Sequence, residues 1–357
     1  MNYICLLAII IGMTLLLLIG AKKEKNDPMN KETSIAIKGF MAILIMVNHL
    51  LMYLFGNCEY VKYLVNLSSI AVGIFFFYSG YGLYTQVKED KQYLKNFVIN
   101  KVLLKLYVPF VIVNLFFYII FKLNNVAQIG IEQILTMGFV IGKNWFVIEI
   151  MIYYCIFWVI FKIFNTKKAY KISILCYLTS IVFMIALDYK YNIGTWWYIS
   201  SIGFIIGMMF SENKEKILSK IDKQNKKFFL INSFVIIILY ILACNAMEIS
   251  KIINIEKIAN YITVLTSMLI IPSSLLFFVQ ILSKIKMKNK INLYMGKISY
   301  EIYNVHLLFK IYFINIVGQQ DFSMRLVVFF VIILETIITS IIINKIAKSL
   351  YKKFKVT

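Results

Sequence analysis

The sequence has few charged residues: they make up 15% of its 357 positions, whereas 61% of the positions are hydrophobic. Ordinary soluble chains contain about a quarter charged residues, so this composition excludes a soluble enzyme. The hydrophobic residues form repeated blocks of roughly 17 to 22, each long enough to cross a hydrocarbon layer of about 30 Å. We therefore expect an all-α fold, a polytopic transmembrane helical bundle.

Cysteine and histidine are also scarce, with five and two residues respectively. Four of the cysteines lie within apolar blocks, and only Cys58 lies in a predicted external loop, so no disulfide pair or metal-binding spacing is visible. Neither histidine has a carboxylate three or four residues away, as a helical metal site would require. We predict no bound cofactor and no metal site.

Acidic residues are outnumbered by basic ones, 17 against 38, which gives a formal net charge of +21. The basic residues lie in short loops between apolar blocks and not on one amphipathic face, so they indicate membrane orientation and not nucleic-acid binding. Arg325 is the only arginine. Lysine therefore stands at most positions where arginine could also serve.

Eleven apolar blocks predict eleven transmembrane helices. They lie at about 3–20, 39–55, 67–84, 107–121, 144–161, 172–187, 195–210, 228–246, 261–282, 298–317 and 326–344. The first block could be a signal peptide, but no positive residue precedes it and lysines follow it, so we interpret it as an uncleaved helix.

Lysines are concentrated in every second loop, which gives the orientation. The lysine-rich segments are 22–38, 88–105, 162–171, 214–227, 284–297 and the tail 345–355. The positive-inside rule places these segments in the cytoplasm and the N-terminus outside a cell membrane. The predicted organisation is an extra N-terminal helix and linker over 1–33, a membrane domain over 34–346, and a basic cytoplasmic tail over 347–357.

Two basic residues of the second helix have a suggestive spacing. Lys38 and His49 are eleven residues apart, which returns to nearly the same helix face after a rise of about 16 Å. They could face one cavity at different depths, and Asn48 is a further candidate for its wall. Alternatively, Lys38 extends to the membrane surface and His49 hydrogen-bonds a neighbouring helix.

Polar residues also interrupt the fifth and tenth helices, where ionisable groups cost roughly 2.5 to 3.5 kcal/mol on insertion scales. Trp145 and Glu149 lie one turn apart near the outer side of the fifth. In the tenth helix, polar side chains form a stripe that must face protein or water. The stripe is therefore either the wall of a pocket or a contact with a neighbouring helix. This stripe contains Ser299, Tyr303, His306 and Lys310.

Two further segments have both a functional and a structural interpretation. Glycines around Ser79 permit close helix packing or a helix break, which Ser79 could line or cap. Lys101 and Lys105 share a helical face and could bind a phosphate, or could simply anchor the cytoplasmic end of the span.

Together these segments resemble the membrane-bound acyltransferase family 3, over about residues 34 to 346. Its members O-acylate sugars and cell-surface polysaccharides. The family has Arg, ten residues and then His in its first core helix, and here Lys38 and His49 have that spacing. It also has a Phe-Phe-x-x-Ser-Gly signature, matched from Phe75 to Gly80.

Two later motifs strengthen the resemblance. A basic segment before Leu-Tyr-Pro is similar to Lys105–Pro109, with Val108 inserted. The family's late motif I-S-Y-x-I-Y-x-x-H matches residues 298–306 in full. The sequence differs from the family in having Lys for Arg at 38, 101 and 105, which loses bidentate phosphate recognition, and in having one extra helix.

The resemblance implies an acyl-CoA co-substrate, most commonly acetyl-CoA, that enters from the cytoplasm, and a glycan hydroxyl as acceptor. Lys38, Lys101 and Lys105 would bind the donor. His49 would act as general base, and Glu149 would orient it or bind sugar hydroxyls. Pocket residues would be Asn48, Ser79, Trp145, Tyr300, Tyr303 and His306.

Two other classes of protein share part of this pattern. An exporter of polysaccharide or lipid-linked sugar would also be polytopic and basic inside, but it would not explain the two motifs that contain histidine. A purely structural membrane partner in an envelope complex would leave both histidines without a purpose. Dependence on acyl-CoA distinguishes the enzyme from both. For the enzyme, envelope or polysaccharide-synthesis proteins are possible partners, besides membrane lipid.

Overall fold

The computed structural model describes residues 11–13, 15, 19, 21–56, 65–125, 145–223, 226–252, 256–287, 290–317 and 321–356. Most of the first predicted helix, 3–20, lies outside the described residues. Each of the other ten predicted apolar blocks overlaps a helix.

In chain order the elements are β1 (Ala21–Lys23), α1 (Lys31–Phe55), α2 (Val65–Glu89), a 3₁₀ turn (Lys91–Leu94), a π-helix (Val98–Tyr107), α3 (Val108–Leu123), α4 (Trp145–Ile163), α5 (Thr166–Tyr191), α6 (Trp196–Ile199), α7 (Ile202–Glu212), α8 (Lys214–Lys223), α9 (Lys226–Cys244), α10 (Ala246–Ile252), α11 (Glu256–Leu282), β2 (Ile285–Met287), α12 (Lys290–Lys297), α13 (Ser299–Val317) and α14 (Phe322–Phe354).

This architecture confirms the all-α prediction. Eight of the described helices are long and apolar enough to cross a membrane, so the chain is a multi-pass membrane protein. The predicted span at 195–210 is instead divided into α6 and α7. The 11 residues of α7 rise only about 17 Å, which is too short to cross a bilayer as one helix.

The chain divides into two compact units. The first contains residues 1–48, 62–82 and 198–299, and the second contains residues 49–61, 83–197 and 300–357. The boundaries fall within α1 and α2, so each of these helices contributes residues to both units.

In the first unit, a short sheet joins two segments that the lysine pattern places in the cytoplasm. β1 pairs with β2 in antiparallel register, with Ala21 opposite Met287. Ion pairs surround it, including Lys214 with Asp27 at 2.6 Å and Lys25 with Asp222 at 2.8 Å. The hydrogen bond to Asp222 raises the pKa of the exposed Lys25 amine.

In the second unit, the π-helix leads directly into α3. The amide of Val108 donates to the carbonyl of Leu103, five residues earlier, as π-helical geometry requires. Pro109 follows in the first turn of α3 and has no amide hydrogen to complete the usual helical ladder. The wide turn thus ends where proline interrupts the regular hydrogen bonds.

The chain end packs against this π-helix through a pair of hydrogen bonds. The side-chain amide of Asn100 donates to the carbonyl of Val356 at 2.6 Å, and the amide of Val356 donates back to Asn100 at 3.0 Å.

A tyrosine pair joins α4 and α5. Tyr177 of α5 stacks on Tyr153 of α4, and its hydroxyl donates to the carbonyl of Tyr153 at 3.0 Å. Side-chain hydrogen bonds therefore hold several contacts of this unit.

Glycines bring α2 and α7 close together in the first unit. A Cβ atom added at Gly80 would overlap the carbonyl of Phe204, and one added at Gly207 would overlap the carbonyl of Phe77. Because α2 is continuous over its 25 residues, the glycines serve close packing and not a helix break. A Cβ atom at Gly82, in contrast, would meet no atom within 4 Å.

This difference predicts unequal effects of two alanine substitutions in one helix. Gly80→Ala should destabilise the protein by about 1–3 kcal/mol through overpacking. Gly82→Ala should be neutral or slightly stabilising, because it gains the same helix propensity without a clash. Thermal unfolding in detergent measures both, and equal midpoints for the two variants would contradict the close packing.

Candidate active site

The candidate site lies in the second unit and is built from α1, α4 and α13. His49 lies near the end of α1 and is half-buried, whereas His306 lies in α13 and has no exposed surface. The Nδ1 atom of His49 is 2.9 Å from the Nε2 atom of His306. The two histidines of the chain thus form one hydrogen-bonded pair.

The two rings meet edge to edge. Their planes differ by only 12° and their centroids are 5.2 Å apart. This separation exceeds the nitrogen–nitrogen distance by roughly the two ring radii, so the bonded nitrogens lie near the line between the centroids. The rings are therefore joined by an in-plane hydrogen bond and do not stack face to face.

His306 makes a second hydrogen bond within its own helix. Its Nδ1 atom is 2.9 Å from the carbonyl oxygen of Ile302, one turn earlier. Both ring nitrogens of this buried residue are therefore engaged, one by backbone and one by His49. Such contacts hold an imidazole in a fixed orientation.

Tyr303 lies beside the histidine pair, and Glu149 lies near Tyr303. The ring of Tyr303 meets that of His306 edge-on, with centroids 5.9 Å apart. Tyr303 also packs edge-on against Phe146 at 5.1 Å and hydrogen-bonds the backbone of that residue. Glu149 is 5% exposed and interacts electrostatically with Tyr303.

One helical turn beyond each histidine, Tyr53 and Lys310 form a cation–π contact. The Lys310 ammonium lies 3.8 Å from the centroid of the Tyr53 ring. Lys310 also interacts electrostatically with both histidines. Since Tyr53 is 50% exposed, this contact lies at an accessible edge of the second unit.

The remaining predicted residues of this unit have different surroundings. The rings of Trp145 and Trp197 are 6.3 Å apart, and both are partly exposed. Tyr300 donates its hydroxyl to the carbonyl of Leu106 at 2.7 Å, which ties α13 to the π-helix. Tyr300 therefore has a clear structural contact next to the predicted pocket residues.

The predicted donor-binding lysines of the π-helix rest on aromatic rings. Lys101 lies 4.9 Å from the centroid of Tyr93, and Lys105 lies 5.0 Å from that of Tyr351. Lys105 and Lys355 both interact electrostatically with Lys101. Positive charge is thus concentrated around the π-helix and the chain end.

Lys38, Asn48 and Ser79 belong to the first unit. Lys38 and Ser79 are half-buried, and the side-chain amide of Asn48 donates to the Ser68 hydroxyl at 2.5 Å. Their part in the site remains a prediction.

Sequence reasoning missed two features of α13. The buried carboxylate of Glu301 accepts a hydrogen bond from Asn344 of α14 at 2.8 Å. An acidic residue within an apolar span, next to the polar stripe, indicates that a polar partner lies on a neighbouring helix. The hydrogen bond between His306 and the carbonyl of Ile302 could not be predicted, because every residue has a backbone carbonyl.

The arrangement suits proton transfer better than metal binding. Among the described residues, no group of three His, Cys, Asp or Glu side chains is placed to hold a metal ion. A half-buried imidazole held by a second imidazole is suited to take a proton from a hydroxyl group.

Comparison with known protein families identifies the chain's family. A family model described as an acyltransferase domain matches residues 34–345, which is most of the chain. No curated protein and no solved structure matches significantly. The match includes both histidines and the π-helix lysines Lys101 and Lys105. The chain therefore belongs to acyltransferase family 3 and is a membrane acyltransferase.

Proposed function

We propose that the enzyme moves an acyl group, with acetyl expected, from cytoplasmic acyl-CoA to a hydroxyl of a cell-surface polysaccharide or another glycan. The observation that carries this proposal is the hydrogen-bonded pair of His49 and His306 within a membrane acyltransferase. The expected location is the cell membrane, with the C-terminus in the cytoplasm.

The donor would bind at the end of the second unit where the π-helix lies. Lys101 and Lys105 supply positive charge there, and the lysine pattern places this end in the cytoplasm. The phosphates of CoA are attracted to such charge, and partial burial of Lys101 strengthens the attraction. Lys38, which the lysine pattern of the sequence also assigns to the cytoplasm, is the third proposed donor ligand.

The acceptor would reach His49 from the opposite end. Partly exposed aromatic rings and hydrogen-bonding groups favour a sugar there, because sugars bind through their apolar faces and hydroxyl groups. Trp145 and Tyr53 supply rings, and Glu149 supplies a carboxylate for a sugar hydroxyl.

The reaction requires the removal of one proton and its return. His49 takes the proton from the acceptor hydroxyl while the oxygen bonds to the acyl carbon. The carbon–sulfur bond then breaks, and the CoA thiolate recovers the proton from His49. The products are an ester and free CoA, and no cofactor is consumed.

Removing the imidazole of His49 should abolish transfer but not donor binding. His49→Ala and His49→Gln should lower the rate of CoA release by about 10²–10⁴-fold, the usual contribution of general acid–base catalysis. The assay mixes labelled acetyl-CoA and a glycan acceptor with purified protein in nanodiscs.

The glutamine variant controls for structure, because its side-chain amide can still donate a hydrogen bond to His306. Its unfolding midpoint should match that of the wild type. Full activity in either variant would contradict the role of His49. Failure of the wild type to bind any short acyl-CoA would contradict the donor and favour an exporter.

Removing a donor lysine should weaken acyl-CoA binding. Lys101→Ala and Lys105→Ala should each raise the KM for acyl-CoA about tenfold to a hundredfold, because a charge-assisted contact is worth about 1.5–3 kcal/mol. The kcat should change little, since these residues lie away from the reacting atoms.

Lys190→Ala provides the matched control. Lys190 also rests on an aromatic ring, with its amine 5.0 Å from the centroid of Tyr191, but it lies on the predicted outer side. Its removal should leave the KM unchanged. The donor site would be wrong if the KM rose equally in all three variants, or in none.

A further inference from the structure

We propose that His306 is a positioning residue that fixes the tautomer of His49 and so makes Nε2 of His49 the catalytic base. This inference rests on the proposed function, because it concerns the atom that removes the acceptor proton. It follows from the hydrogen-bonding capacity of three groups in sequence: a carbonyl, His306 and His49.

The first step concerns the carbonyl of Ile302. A carbonyl oxygen only accepts hydrogen bonds, so the Nδ1 atom of His306, 2.9 Å away, must carry the hydrogen. In a neutral imidazole the other nitrogen then has a lone pair. Nε2 of His306 is therefore an acceptor.

The second step transfers this constraint to His49. The acceptor nitrogen of His306 is 2.9 Å from Nδ1 of His49, so Nδ1 of His49 must be the donor. Neutral His49 then has its lone pair on Nε2. The nearly coplanar rings give this hydrogen bond favourable geometry.

Burial assigns different roles to the two histidines. His306 has no exposed surface, so it acts through His49 and not on the substrate. His49 is half-buried, so of the two histidines it is the one that an acceptor hydroxyl could approach. His306 thus has the orienting role that a carboxylate has in a catalytic triad, with a backbone carbonyl behind it.

The hydrogen bond to His306 also stabilises the positive charge that forms on His49 during the reaction. Once Nε2 has taken the acceptor proton, Nδ1–H becomes a stronger donor to His306, and a charge-assisted hydrogen bond is roughly twice as strong as a neutral one. Lys310 and Tyr303 lie next to the pair, and they contact Tyr53 and Glu149 in turn. His306 is the group that bonds Nδ1 of His49 directly.

The chain has only two histidines, so the tautomers can be observed directly. Protein labelled with ¹⁵N-histidine, in nanodiscs without substrate and at alkaline pH, should give signals from this pair alone. We expect both rings to carry hydrogen on Nδ1 and a lone pair on Nε2. His49→Gln identifies the signals of His306, and hydrogen on Nε2 of His49 would overturn the proposal.

The kinetic constants of His306 variants provide a second, independent test. His306→Leu removes the acceptor for Nδ1 of His49 and should lower kcat about tenfold to a hundredfold, with the KM for acyl-CoA unchanged. His306→Gln offers a carboxamide oxygen as a substitute acceptor and should recover part of the loss. The same NMR measurement on His306→Leu should show a mixture of His49 tautomers.

Asn304→Leu is the matched control in the same helix. Asn304 is equally buried and also bonds a carbonyl one turn earlier, that of Tyr300 at 2.9 Å. Its substitution should leave kcat unchanged. An equal loss of kcat in Asn304→Leu and His306→Leu, with no recovery in His306→Gln, would show a structural role and overturn the proposal.

The two arms separate this inference from the proposed function. If wild-type protein transfers no acyl group from acyl-CoA, the function fails while the NMR spectrum still decides the tautomer. If transfer occurs but His49 carries hydrogen on Nε2, the inference fails alone.

Discussion

The hydrogen bond between His49 and His306 joins the end of α1 to the middle of α13, and the candidate site is arranged around it. Within a membrane, a polar group without a partner costs several kcal/mol, so each polar side chain of a span must find a partner in the protein. A buried imidazole therefore requires a hydrogen-bond partner for folding, and the same hydrogen bond fixes the orientation in which it can react.

Helix α13 satisfies this constraint in three directions. Tyr300 bonds the π-helix, Glu301 bonds α14 and His306 bonds α1. These contacts fix both the rotation and the depth of α13. Because Tyr303 lies within the same stretch, its position beside the histidine pair follows from the same contacts.

Positive charge is distributed unevenly within the second unit. Lysines surround the π-helix and the chain end, whereas Glu149, Tyr303 and the histidines lie deeper among aromatic rings. An anionic donor and a neutral sugar would be drawn to different ends of such a protein. The proposed reaction would use this separation, since its proposed donor and acceptor would start on opposite sides of the membrane.

Hydropathy predicted the all-α membrane fold, because length and apolarity alone decide whether a helix can span a bilayer. Helical periodicity placed Tyr303 and His306 on one stripe. It could not show that His306 bonds His49, because 257 residues separate them and only packing brings them together. The paired strands also escaped prediction, since three residues carry no periodic signal.

The most direct test of transfer across the membrane uses inverted membrane vesicles that contain the enzyme and a glycan acceptor. Labelled acetyl-CoA is added outside, at the cytoplasmic face. The account predicts that base-labile label accumulates on glycan inside the vesicles, and that His49→Gln prevents it. Label that never reaches the enclosed glycan, while added acetyl-CoA stays intact, would contradict the account.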